Sequence, residues 1–505
     1  MNHYAAHFLS LTALTAVAIA IPHSATASIT NPAWEPADCA TFGLMPLVSA
    51  LSDCGYVTVP ERHSDPDGPT IQVAVVRTRS IGDAPASDPL FIEQGGPGNT
   101  TIGLFATKGV ALLPILPRML QGRDLVFVEQ RGTELSRPFF ACPEQTAYNL
   151  AVARDEIAPT DTQWMVACRD RSLAAGINPN AFNTSENAAD IYAVAQVLGY
   201  EQFNFYGVSY GTLLGQYVIE QAESHQAQLR SVILDGVVTT DVDFNLASTY
   251  TLSGALRNVF AACAADAQCN TAYPNLESTF LALLDRLHQD PVPLTLTAPT
   301  TQTQVETTID RDEFLLTFEP YIASSGNAPT LPKNIYQAAE GDFSWLMEDL
   351  ASSLEASGAK GMYHTVLCAR SNSVQTEAAT LFPAPYEQLI PVGLSESASV
   401  DRFCKILQVE SEKPFAYDNT DIPVLVLNGS YDPVTPQIYG ERVASNFETA
   451  YVYTFPGVGH GSFFAPAETP AGQCVAAIAL NFLSDPNQPP DSRCLANVNP
   501  IFVYE

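Results

Sequence analysis

The chain has 505 residues, with 23 Lys+Arg against 54 Asp+Glu for a formal charge of −31; 46% of its positions are apolar and 15% charged. This composition excludes disorder and coiled coil as the main state. So negative a charge repels phosphate backbones and anionic headgroups, which argues against nucleic-acid and membrane-surface partners. At roughly 150 residues per domain the length admits about three domains, or one α/β core carrying insertions.

The first 27 residues contain no Asp, Glu, Lys or Arg. Their apolar stretch 8–21, followed by Pro22 and Ala25-Thr26-Ala27, reads as an export signal cut after Ala27. The mature chain is therefore expected in the periplasm or the medium, with no stable membrane association. All ten cysteines follow that cut, an even number that suits an oxidising compartment. Paired in chain order they would close five short loops, the connectivity expected here, although the count alone leaves others open. His364 and Cys368 stand one helical turn apart, but no Cys-x-x-Cys or His-Glu-x-x-His accompanies them, so no metal or organic cofactor is expected.

Short β-branched or aromatic runs at 71–76, 89–93, 124–129, 203–206 and 231–234 read as strands buried on both faces. Ile191, Val194, Ala195 and Leu198 have the spacing of a helix, with Thr184 or Ser185 as its cap and Gly199 as its stop. The alternation predicts a mainly parallel sheet covered by helices. From about residue 240 the period changes. Leu252, Leu256, Val259, Phe260 and Cys263 share one helical face, and Leu276, Phe280, Leu283, Leu284 and Leu287 another. Strand signals return at 422–427 and 450–455, before a helix near 475–483. The organisation expected is a core over 28–239, a mostly helical cap over 240–420 and the rest of the core over 421–505.

The strand 203–206 runs into Gly207-Val208-Ser209-Tyr210-Gly211 and then a helix. Glycines around the serine permit a tight turn that lifts its hydroxyl above the sheet edge. Asp432 follows the strand 422–427, and His460, between Gly459 and Gly461, follows the strand 450–455. Both fall at carboxyl ends of strands, on the same rim as Ser209, where open α/β sheets place their ligands. His63, His225 and His288 lack such a setting and read as surface or structural residues. Beyond the strand 89–93 lies Gln94-Gly95-Gly96-Pro97-Gly98, a loop whose backbone can approach a ligand closely. An N–H from Gly95 or Gly96, with that of Tyr210, would make an oxyanion hole.

Together with Glu129-Gln130-Arg131-Gly132, Asp432-Pro433-Val434-Thr435-Pro436 and the stretch from Cys263 to Pro274, these motifs resemble the proline iminopeptidase and tripeptidyl aminopeptidase branch of the α/β-hydrolases. The resemblance implies an α/β-hydrolase fold and exopeptidase action by serine acyl transfer, with Ser209 as nucleophile, Asp432 as orienting acid and His460 as base. It also implies peptide or small acyl substrates. Three positions depart from the family pattern: Gln94 stands for a His, Glu129 for an Asp, and Arg370 follows Cys368-Ala369 where an acid suited to a substrate ammonium is expected. Arg370 would repel an ammonium and is the candidate substrate-binding residue here, pairing with a carboxylate or simply with a neighbouring acid, while Glu319, Glu340 or Asp342 could take the place of the missing acid. The same machinery would serve a carboxylester hydrolase, and a catalytically dead binding module is the remaining alternative.

Overall fold

The computed structural model describes residues 33–504 apart from 110–114, 243, 371–377 and 414. The expected signal over 1–27 lies outside these residues.

Eleven strands are described: β1 (Ala33–Ala37), β2 (Ser52–Pro60), β3 (Thr70–Thr78), β4 (Leu90–Glu93), β5 (Leu125–Val128), β6 (Gln202–Val208), β7 (Gln228–Asp235), β8 (Val292–Thr297), β9 (Gln304–Ile309), β10 (Val424–Gly429) and β11 (Ala450–Phe455). Nine of them form one sheet in the order β1-β2-β3-β5-β4-β6-β7-β10-β11. The pairings from β1 to β5 are antiparallel and those from β5 through β11 parallel.

Period-two side chains explain why this sheet is buried twice over. Phe91, Val126, Phe203, Phe205 and Val232 enter one core, where helices Thr184–Val197 and Tyr210–Glu220 cover them. Leu90, Ile92, Leu125, Phe127, Tyr206 and Ile233 enter the opposite core, under helix Pro470–Ser484. Asn183, one residue before the expected caps, closes the first helix by accepting from Glu186 N–H at 2.9 Å. Gly199, at φ +77°, stands just past its end.

Between β7 and β10 the chain builds a third core from helices and the antiparallel hairpin β8–β9. All ten side chains expected on the two helical faces are buried there or at its edge. Strands were not expected in this stretch; the hairpin is short and half exposed. Helix Gln163–Ala174, which precedes the insertion in sequence, joins it through Trp164 and Met165 against Phe403 and Leu407. Phe502 is buried in the same third core, and Val503 N–H donates to Pro329 C=O at 2.8 Å. All ten cysteines pair in chain order, with Cα separations of 5.1–5.5 Å. Among the described residues no helix is long and apolar enough to cross a membrane.

Candidate active site

Ser209 stands between β6 and helix Tyr210–Glu220 at φ +57°, ψ −124°, a conformation costly for a residue with a side chain. Its N–H donates to Asp235 C=O at 3.0 Å, and its hydroxyl does not cap the helix it precedes. Gly207 is required here, because a Cβ would meet Gly211 C=O at 2.0 Å. A Cβ on Gly95 would lie 2.5 Å from Ser209 Cβ and 2.9 Å from its Oγ, so the 94–98 loop runs against the hydroxyl.

Within that loop the N–H of Gly95 donates to its neighbour Gln94 Oε1 at 2.9 Å. Among the described residues the N–H groups of Gly96 and Tyr210 have no acceptor. The Glu129-Gln130-Arg131-Gly132 motif supports the loop from behind. Gln130 Nε2 donates to Gln94 C=O at 2.8 Å and to Glu93 Oε2 at 3.1 Å. Fully buried Arg131 pairs with Asp190 at 2.7 and 2.8 Å. Glu129 accepts from Ile102 N–H and Thr100 Oγ1. Burial outweighs those bonds and pushes its carboxyl up to about 7.

Asp432 and His460 lie on the loops beyond β10 and β11. His460 Nδ1 is 2.8 Å from Asp432 Oδ2. Asp432 Oδ1 accepts from Val434 and Thr435 N–H, each at 2.8 Å, which fixes the carboxylate on its own turn. Thr435 Oγ1 donates to Asp432 Oδ2 at 2.7 Å and lies 2.9 Å from His460 Nδ1. Burial pushes the imidazole down, but the charge and hydrogen bond of Asp432, with the charge of Asp235, raise it above the usual histidine range.

The turns that carry His460 and Ser209 both pack against the stretch Asp235–Gly236. A Cβ on Gly236 would lie 3.2 Å from His460 Nδ1, and one on Gly461 would lie 3.0 Å from Val208 Cγ2. Among the described residues the Ser209 hydroxyl and His460 form no hydrogen bond. Contacts of this kind often tighten only when substrate arrives. The insertion reaches the same loop, with His460 N–H donating to Ala323 C=O at 2.7 Å and Gly459 N–H to Ser325 Oγ at 3.0 Å.

Arg370 lines a cavity with Gly96, Pro97, Ser209, Tyr210 and Val238. Its guanidinium donates to Thr239 C=O at 3.0 Å. Glu412 is the acid whose charge it answers. Burial raises that carboxyl, while backbone hydrogen bonds from helix Thr184–Val197 and the Arg370 charge act against the rise. Glu340 and Asp342 are exposed. Glu319 instead shares a cavity with Glu396, walled by Leu315, Leu389 and Val392. Burial, then the like charges of Glu396 and Asp432, push Glu319 up to about 8.

Three other described histidines have structural settings, and His288 is exposed. His63 Nε2 is 2.8 Å from Asp190, His225 stacks on Tyr192, and His364 stacks on Phe403 with burial pushing its imidazole down to about 3. Cys368 is bonded to Cys404. Among the described residues no cluster of three metal-ligating side chains occurs. Sequence reading missed Thr435, Glu396 and Asp235 as parts of the site. Asp235 had the clearest signal, an acid closing the apolar run Val232-Ile233-Leu234 just before a glycine.

The strand order, the serine on its strained turn and the Asp432–His460 pair on the following loops define an α/β-hydrolase fold equipped as a serine hydrolase. The TAP-like resemblance read from the motifs is borne out: residues 391–494 match the family model for TAP-like protein. The chain is 31% identical over 251 residues to serine protease Hip1 of Mycobacterium tuberculosis, covering 47% of this chain and 46% of that one. It is 27% identical over 237 residues to tripeptidyl aminopeptidase of Streptomyces coelicolor, covering 45% and 41%. Each match thus spans less than half the length of the curated relative. Among solved structures, an alpha/beta hydrolase fold protein from Chitinophaga pinensis aligns over 82% of this chain and 94% of its own, at 14% identity and a TM-score of 0.35.

Proposed function

We propose that the protein is an exported serine exopeptidase that cleaves peptides near their free amino end, with Ser209 as nucleophile, His460 as general base and Asp432 as the acid that orients it. The observation that carries this reading is the 2.8 Å Asp432–His460 bond on a turn packed against the turn of Ser209. His460 accepts the serine proton as the hydroxyl attacks a carbonyl, and Asp432 keeps Nδ1 protonated and stabilises the imidazolium. The tetrahedral oxyanion takes the N–H groups of Tyr210 and Gly96, or of Gly95 once Gln94 turns away. The imidazolium then protonates the leaving amine, and water activated by the same ring releases the acid.

The amino-end preference draws support from the relative named tripeptidyl aminopeptidase and from the Glu319–Glu396 pair. Two carboxylates held together with one pushed up to about 8 form a place where a cation is welcome. Arg370, turned toward Thr239 C=O and Glu412, leaves the ammonium to that pair and takes part in shaping the serine cavity. The helical insertion then acts as the cap that sets which peptides fit, and export is supported by the five disulfides.

The test compares tripeptidyl and aminoacyl anilides, free or blocked at the amino end, with short acyl esters. Free-amine anilides should be preferred, Ser209→Ala should abolish turnover and fluorophosphonate labelling, and Glu319→Gln should raise KM for free-amine substrates alone. Preference for esters or blocked peptides would overturn the exopeptidase reading; labelling that persists in Ser209→Ala would overturn the nucleophile.

A further inference from the structure

We propose that Asp235 is a second carboxylate in the service of His460: a positioning residue that joins the turn of the base to the turn of the nucleophile and sets a fixed negative charge behind the imidazolium formed in catalysis. This rests on the roles of Ser209 and His460 given above.

Asp235 ends β7 and is fully buried. A buried carboxylate is costly unless its oxygens are satisfied. Here they accept from Ser462 N–H at 2.6 Å, Phe463 N–H at 2.9 Å and Tyr206 Oη at 3.0 Å. The two amides belong to the turn that follows His460, and the ring of Tyr206 stacks on Phe463 at 4.1 Å. The main chain of the same residue accepts the N–H of Ser209. Gly236, next in the chain, brings the imidazole close, since any side chain there would press on His460 Nδ1 and on Thr435 Oγ1. One residue thus grips the base's turn with its side chain and the nucleophile's turn with its backbone.

Among the described residues no Lys, Arg or His lies within salt-bridge distance of this carboxylate. A latch with only a structural duty could be neutral. An anion buried without a cation makes sense where a positive charge appears transiently, and His460 becomes cationic at each acyl-transfer step. The charged or titratable groups that face the imidazole are Asp432 from beyond β10 and Asp235 from β7; Tyr206 faces Asp235 from β6, and Glu319 of the insertion feels the charge of Asp432. Burial pushes the Asp235 carboxyl up against the opposing hydrogen bonds, while its charge is one of the influences that raise His460.

The experiment measures kcat, KM and the pH profile of kcat/KM for wild type, Asp235→Asn and Tyr206→Phe, with circular dichroism and Tm as controls for folding. Asp235→Asn should lower kcat about tenfold, leave KM within about twofold and move the acid limb down by about half a pH unit or more. Tyr206→Phe keeps the ring stack but removes one donor from the carboxylate, so its acid limb should move slightly up; it serves where Asp235→Asn does not fold. A folded Asp235→Asn with an unshifted limb and unchanged kcat overturns the proposal, as does a Tyr206→Phe variant that lowers only Tm. Ser209→Ala separates the two readings: an active Ser209→Ala sinks the triad itself, whereas an inactive one beside an unaltered Asp235→Asn sinks the role of Asp235 alone.

Discussion

Thr435 shows how much of an active site can depend on one hydroxyl. It donates to Asp432 and lies against the same imidazole nitrogen that Asp432 holds, so it fixes the angle at which acid and base meet. Thr435→Val removes that bond with almost no change of shape and should lower kcat by about 5- to 10-fold, the worth of roughly one hydrogen bond of 1–1.5 kcal/mol. Steady-state kinetics on a free-amine anilide gives the comparison, and unchanged kcat would show the hydroxyl to be dispensable. The raised imidazole of His460 yields a second expectation. Only the neutral ring can accept the serine proton, so activity rises with pH through its titration and the acid limb of kcat/KM should centre above the ordinary value of about 6.5. The sign for folding is the reverse. The proton is bound more tightly in the folded chain, so its stabilisation is complete below the unfolded value and is lost as pH rises through the folded one. At this scale the sequence was most legible where chemistry demands glycine on both sides of a polar residue, as at Ser209 and His460. It was least legible where one acid among 54 matters only because of what the fold brings to it, as with Asp235 and Glu396.

At the scale of elements, the strands beneath the site were readable because burial on both faces leaves a mostly apolar run in the centre of the sheet, and aromatic and β-branched residues mark the half-exposed β11 at its edge. The runs at 71–76, 89–93, 124–129, 203–206, 231–234, 422–427 and 450–455 all fall on strands of the large sheet. β2 carries Asp53 and Gly55 within its run, and β8 carries Pro293, which hid them among turn signals. The carboxyl ends of β4 and β5 deliver Glu93 and Glu129 into the core behind the oxyanion loop. Glu129 reaches about 7 in the fold, against an ordinary glutamate value near 4.5, so its neutral form stabilises the fold below the lower value and that help fades as pH climbs toward 7. Glu129→Gln should therefore flatten the fall of Tm between about pH 5 and 7; a slope as steep as wild type would refute it. Helix Arg311–Ala323 carries Glu319 in its last two turns and ends at the carbonyl that accepts His460 N–H, with Ser325 just beyond it. Ser325→Ala should lower kcat by a few fold while KM is held, since it frees Gly459 beside the base. A rise in KM with constant kcat would place the effect in substrate binding instead.

Across the whole molecule, cross-links and charge oppose each other. A formal charge of −31 strains any compact state through self-repulsion. The five bridges close loops of 6–36 residues' separation and tie down β2 near one edge of the sheet, helix Pro470–Ser484 and the insertion. Each native disulfide typically contributes about 2–4 kcal/mol, so thiol reductant should lower Tm by well over 10 °C, and most of all at low ionic strength, where the repulsion is least screened. Equal Tm with and without reductant would show that the bridges carry little. Pairing in chain order is one of several connectivities that the sequence leaves open, and the fold realises it by bringing each half-cystine against its neighbour in the chain. The joining of helix Gln163–Ala174 to the insertion was not legible in the sequence, since Trp164 and Phe403 are far apart in sequence and nothing in either segment names the other.

The seat of Phe502 within the insertion's core has a consequence for biosynthesis. As the polypeptide is made, the helices between β7 and β10 can fill most of this core from their own side chains, but two of its places wait for Tyr431 and Phe502. A chain halted before them would leave those two seats open, so the insertion reaches its final packing only with the last stretch of the polypeptide.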